Sequence, residues 1–159
     1  MPLSKPSVDL AQLYDSDIAI WSEQMADLLR QGKFEQLDLA HLIDEVEALD
    51  RRERDRLVSS IRLILHHLLK WQYQPEKRTR SWFQTIQRER INAMAYLEDT
   101  PSLARIMDDE WLSKAYRRAR QDAGIETGLA LEAFPVDCPY GWENILNYEF
   151  PVDLVWEQD

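Results

Sequence analysis

His66 and His67 stand side by side ahead of Lys70 and Trp71, and imidazole is the side chain whose ordinary titration lies nearest neutrality. Helical spacing places His67 beside an apolar stripe, near Ser60, Leu63 and Trp71. There it reads either as a metal ligand or general base, or as a half-buried histidine bonded to a neighbouring helix. His66 is expected to project outward, and His41 to face away from its own helix's apolar stripe. Glu45 and Glu47 flank the apolar face of the segment around residues 39–49. Carboxylates from separate bundle helices can hold two metal ions, but usually together with Glu-x-x-His pairs. The chain has no such pair, so no dinuclear site is expected. Glu45 and His67 remain the weaker candidates for a mononuclear one, and the working expectation is no metal and no cofactor.

Arg90 is the unusual charge. Trp82, Ile86, Ala93 and Leu97 define one face of a helix, and Arg90 projects near the centre of that face. A buried guanidinium must be neutralised or hydrogen-bonded, because leaving it alone costs several kcal/mol. The spacing therefore predicts a polar network joining Arg90 to Glu53, Glu45 or Glu47, which would set helix register rather than catalyse.

Lys77, Arg78, Arg80 and Arg88 form a candidate basic face beside Lys70, interleaved with Trp71, Tyr73, Trp82 and Phe83. Such interleaving can bind single-stranded nucleic acid by phosphate contact and stacking. These aromatics stand at core spacing, however, and the acidic C-terminal segment offers a competing partner on the same chain. Cys138 lies in an acidic, proline-flanked segment, which is the wrong setting for an activated thiol. Asp38-x-x-His41 reads as a helix cap rather than a ligand pair. A glycine-rich phosphate loop, a nucleophile elbow and a Cys-x-x-Cys pair are all missing.

The elements that must position these groups are helices. The chain of 159 residues has only four glycines and 45% apolar residues. Leu, Ala, Glu, Gln and Arg dominate, and they lose little rotamer freedom in a helix. Residues 1–13 read as an extended leader, and 14–159 as a single domain whose part 124–159 is an acidic wrap. A first helix runs from about Asp15 or Ser16 to Arg30 on Ile18, Trp21, Met25, Leu28 and Leu29. A second, capped by Asp38, carries Leu39, Leu42, Ile43, Val46 and Leu49. The third stripe, Leu57, Ile61, Ile64, Leu68 and Trp71, ends before Pro75.

The second and third stripes share nearly one phase, within roughly 30° at 100° per residue. No Gly or Pro separates them, yet Asp50-x-x-Glu53 makes a capping box, so a break near Asp50 is expected. Thr79 or Ser81 opens a fourth helix to about Leu97, with Met94 among its inward residues. Thr100-Pro101 predicts the start of a fifth, reaching about Asp122, and Gly124 and Gly128 end the regular part. A short helix is expected at Trp142–Leu146.

The formal charge is −10. Residues 121–159 carry nine acids and no Lys or Arg, so residues 1–120 are nearly balanced. That excess repels polyanions over the surface as a whole. One cysteine allows no intramolecular disulfide, and neither a signal peptide nor a membrane-length apolar run is present. A cytoplasmic location is the simplest expectation.

Several stretches resemble a recognised family: Leu13-Tyr14-x-x-Asp17 with Trp21, Leu37-Asp38-Leu39 with Leu42-Ile43-Asp44-Glu45-Val46-Glu47, His67-Leu68-Leu69-Lys70-Trp71, Ser81-Trp82, Pro101-Ser102-Leu103 and Phe134-Pro135-x-x-Cys138-Pro139-Tyr140. In this order they are similar to the mainly bacterial domain of unknown function 29 family, well populated in cyanobacteria. The resemblance implies a helical bundle and no assigned reaction. Members of that family often carry Gly where this chain has Asp50.

The expected fold is an all-α, mostly antiparallel bundle of four to five helices with an irregular acidic C-terminal segment. The expected role is that of a small cytosolic interaction or accessory protein, not an enzyme, with a protein partner or self-association and no membrane. Two alternatives stand beside it: a metal- or small-ligand-binding bundle centred on His67 and Glu45, and a nucleic-acid-associated protein using the basic 77–90 region.

Overall fold

The computed structural model describes residues 9–147. The leader residues 1–8, and Glu149, Asp153, Glu157 and Asp159 of the acidic segment, lie outside the described residues. All regular structure among the described residues is helical: α1 (Leu10–Ser16), α2 (Ile18–Arg30), α3 (Leu39–Tyr73), α4 (Arg80–Asp99), α5 (Asp109–Thr127) and α6 (Trp142–Leu146), with short 3-10 turns between them. The chain divides into two compact units, residues 1–51 and 52–159.

In the N-terminal unit, residues 10–13 are not leader but the start of α1, capped by the Asp9 carboxylate on the Ala11 N–H. Asp17 closes α1 and caps α2 through the Ile20 N–H. Of the expected α2 stripe, Trp21 and Met25 are each 2% exposed, whereas Ile18 and Leu29 stand half in water. These two are the only buried residues among those described in this unit.

The break expected at Asp50 is absent, and α3 runs unbroken for 35 residues. Two stripes in phase and no Gly or Pro leave nothing to stop the helix, and the capping-box residue Glu53 instead pairs with Arg56 at 3.3 Å. The first stripe is also not core. Leu39, Ile43, Val46 and Leu49 are 57%, 50%, 60% and 57% exposed.

The second unit holds the core. Leu57, Ile61, Ile64, Leu65, Leu68 and Leu69 of α3 pack with Ile86 and Ala93 of α4, Leu112, Ala115, Tyr116 and Ala119 of α5, and Phe134, Tyr140 and Ile145. Each large side chain buried there contributes on the order of 1.5–3 kcal/mol. Thr79 caps α4. Met94, expected inward, is exposed.

Thr100-Pro101 opens a 3-10 turn, Pro101–Ile106, rather than α5. The α-helix waits for Asp108, whose carboxylate accepts the Trp111 N–H at 2.8 Å, with Asp109 and Glu110 favourably placed in the first turn. It then passes through Gly124 and ends where Gly128 takes the left-handed conformation, φ 71°. The chain beyond is tied down by Arg120, which donates to the carbonyls of Leu131 and Phe134, and by the Tyr116 hydroxyl on the Pro135 carbonyl.

Candidate functional site

The polar constellation of the N-terminal unit gathers at the start of α3. The Asp38 carbonyl accepts the Leu42 N–H, which makes Asp38 the cap residue of that helix. One oxygen of its carboxylate, Oδ2, also accepts from the Trp21 indole at 3.1 Å and meets His41 Nδ1 at 2.7 Å. Burial pushes the Asp38 carboxyl up, but bonds from the His41 ring, the Trp21 indole and the His41 N–H outweigh it and hold it below its ordinary value.

Tyr14 stacks on the His41 ring at 4.0 Å, meets Trp21 edge-on, and donates its hydroxyl to Glu45 Oε1 at 2.8 Å. That bond to Glu45 raises the phenol's pKa. With Nδ1 committed to a carboxylate, Nε2 is the ring atom that could accept a proton or bind a ligand. His41 does face away from its apolar stripe as expected. Its dyad with Asp38 is not anticipated from sequence, although the three-residue spacing is visible there, because a cap already explains that spacing. Asp38 does both jobs.

His67 stays on its own helix: Nδ1 lies 2.9 Å from the Leu63 carbonyl, and burial lowers its pKa. The bond that holds it is therefore not to a neighbouring helix. His66, expected in water, is only 12% exposed at its side chain, with Nε2 2.6 Å from Glu126 Oε2. The two atoms are close but lack hydrogen-bond geometry. Burial lowers the His66 pKa, and the neighbouring Glu126 charge partly opposes this.

Glu126 also takes the ammonium of Lys70, which is buried and lies 4.2 Å from the centre of the Trp82 ring. Asp122 pairs with Arg62 at 2.9 Å. Acids from the end of α5 thus meet bases of α3, among them Lys70, which borders the candidate basic face.

On that face Lys77, Arg78, Arg80 and Arg88 are all exposed. Arg78 nonetheless donates to the Trp71 carbonyl and lies over the Trp71 ring, and Arg88 pairs with Glu89 at 3.0 Å.

Arg90 is fully buried, as its phase required. Among the described residues it donates to the carbonyls of Ile145 (2.9 Å) and Asn144 (2.7 Å) and to the Gln87 side chain (3.1 Å). Burial lowers its pKa to about 10. Arg90, Ile91, Met94, Ala95, Glu98 and Leu146 line an open groove beside it. Among the candidate carboxylates, Glu45 is with Tyr14, Glu53 with Arg56, and Glu47 is exposed. Cys138 is half-buried, and burial raises its thiol pKa. Among the described residues no three His, Cys, Asp or Glu side chains converge in a metal-site arrangement.

The family model described as domain of unknown function DUF29 matches residues 13–151. The chain belongs to the DUF29 family. That match begins within α1 and takes in the Tyr14–Trp21–Asp38–Glu45 cluster, so the N-terminal unit is part of the DUF29 domain rather than an appendage. The family description carries no activity. No curated protein and no solved structure matches this DUF29 chain. Among its described residues no helix is long and apolar enough to cross a membrane.

Proposed function

We propose that this DUF29 chain is a small interaction protein of the cytoplasm, working without a reaction of its own, and that it holds a protein partner on the first turns of α3. The observation that carries this is the exposure of Leu39, Ile43, Val46 and Leu49, each half or more in water on one helix face. A stripe at helical spacing that its own fold leaves uncovered is the usual mark of a docking helix. The Trp21–Asp38–His41 and Tyr14–Glu45 bonds brace the adjoining face of the same turns, so the stripe is presented on a rigid support. A single cysteine suits a reducing compartment.

The test compares the wild-type chain with Ile43→Ser/Val46→Ser as bait in native extract. A protein retained stoichiometrically by the wild type and lost by the folded double variant is the expected result. Equal retention by both would remove this face from the function.

A further inference from the structure

The groove beside Arg90 has apolar walls and the end of a helix at its rim. Ile91, Met94 and Ala95 of α4 and Leu146 of α6 line it together with Arg90 and Glu98. Ile91 and Met94, one turn apart on α4, stand half in water. Arg90 holds the carbonyls of Asn144 and Ile145, so α6 is fixed against α4 and the chain leaves Leu146 at the groove's edge. Four apolar side chains are far fewer than the roughly 20–30 residues a side of a stable interface between separate proteins. An occupant tethered to the same chain avoids the entropy loss of association and needs much less contact.

Such an occupant is at hand. Twelve residues, 148–159, follow Asn147 outside the described structure. In them Tyr148, Phe150, Val152, Leu154 and Trp156 alternate with Glu149, Pro151, Asp153, Val155 and Glu157. An extended chain with that alternation presents five large apolar side chains on one face and three carboxylates on the other. Pro151 suits the extended conformation, both at its own position and at Phe150 before it. The reach is sufficient: Arg90 to Glu98 covers about 12 Å of helix, and four extended residues span about 13 Å. The family match also runs on through 148–151, so these residues belong to the DUF29 domain.

We propose that the groove is the seat of the chain's own C-terminal segment, with Phe150 and Val152 packed on Ile91, Met94 and Leu146. Charge does not select this occupant, because Glu98 offers an acidic segment no attraction. The apolar alternation and the tether select it, and the alternation turns the carboxylates away from Glu98. The strap ties α6 to α4 a second time, beside the Arg90 clamp. It does not depend on the partner proposed for α3.

The test uses the full purified chain carrying a photoreactive benzoylphenylalanine in place of Phe150, with adducts mapped by peptide mass spectrometry after irradiation. The expected adduct lies within one chain, on α4 between Ile91 and Glu98. An adduct joining two chains would assign the groove to a second copy, and one elsewhere in the chain would give the segment another seat; either overturns the proposal. In the unlabelled chain, amide exchange at Ile145 and Asn147, whose N–H groups bond to Gly141 and Glu143, reads the second tie. It should accelerate about tenfold with Ile91→Ser/Met94→Ser, and equally with Phe150→Ser/Val152→Ser. Combining the two pairs should add little, since both remove one contact. Unchanged exchange in both double variants, or effects that simply add, would also overturn it.

Discussion

His41 Nδ1 lies 2.7 Å from Asp38 Oδ2, and the same oxygen accepts the Trp21 indole N–H at 3.1 Å. One carboxylate therefore caps α3, orients an imidazole and anchors α2. Asp38→Ala leaves the indole N–H of a 2%-exposed tryptophan without its acceptor and removes the cap. The expected loss is about 1–3 kcal/mol by urea unfolding, with Asp38→Asn costing less because an amide oxygen still accepts. An unchanged midpoint for Asp38→Ala would show that the shared oxygen is incidental.

The Asp38 carboxyl titrates below its ordinary 3.8 in the folded chain. Its contribution is complete above that value and is lost as pH falls through the lower folded one. Asp38→Asn should therefore be less stable than the wild type at neutral pH and show a flatter acid limb below about pH 4, so that the two converge as pH falls. An acid limb as steep as that of the wild type would contradict the depressed titration.

His66 and His67 have folded pKa values pushed below 6.5, chiefly by burial. The unfolded chain then takes up protons first as pH falls, so the stability they contribute is full above 6.5 and declines below it. Urea midpoints measured from pH 8 to 5 should fall for the wild type and fall less for His66→Gln/His67→Gln. Identical slopes would mean that the rings are solvated.

Arg90→Met keeps the bulk of the side chain but leaves the carbonyls of Asn144 and Ile145 without their donor. A cost on the order of 3 kcal/mol is expected, since each orphaned buried group costs about 1–3. Amide exchange in α6 should accelerate before that of α3. Uniform acceleration across the chain would place Arg90 in general packing rather than in the clamp on α6.

Ile43→Ser and Val46→Ser should each shift stability by no more than about 0.5 kcal/mol, because the wild-type side chains already face water. Truncation of a true core aliphatic costs about 2–5 kcal/mol. A loss of that size at either position would show that the face is covered in the free chain.

Much of this protein is legible in its sequence because the responsible forces are local. Thr79 caps α4, Gly128 ends α5, and the Trp142–Leu146 helix falls where composition and punctuation placed it. Helical phase alone predicts that Arg90 is buried, and so it is. Thr100-Pro101 misleads because Asp108 offers a better cap eight residues on, and strength of capping is a competition between sites.

Tertiary structure alone decided which of two equally patterned α3 stripes is covered: Leu57–Trp71 is core and Leu39–Leu49 is not. Periodicity records which face is apolar, but burial depends on what packs against it, and that surface comes from residues distant in sequence. The same holds for polar partners. Asp38 meets Trp21 across 17 residues, and Lys70 meets Glu126 across 56. Charge and spacing mark such groups as needing a partner; only the folded path of the chain selects which one arrives.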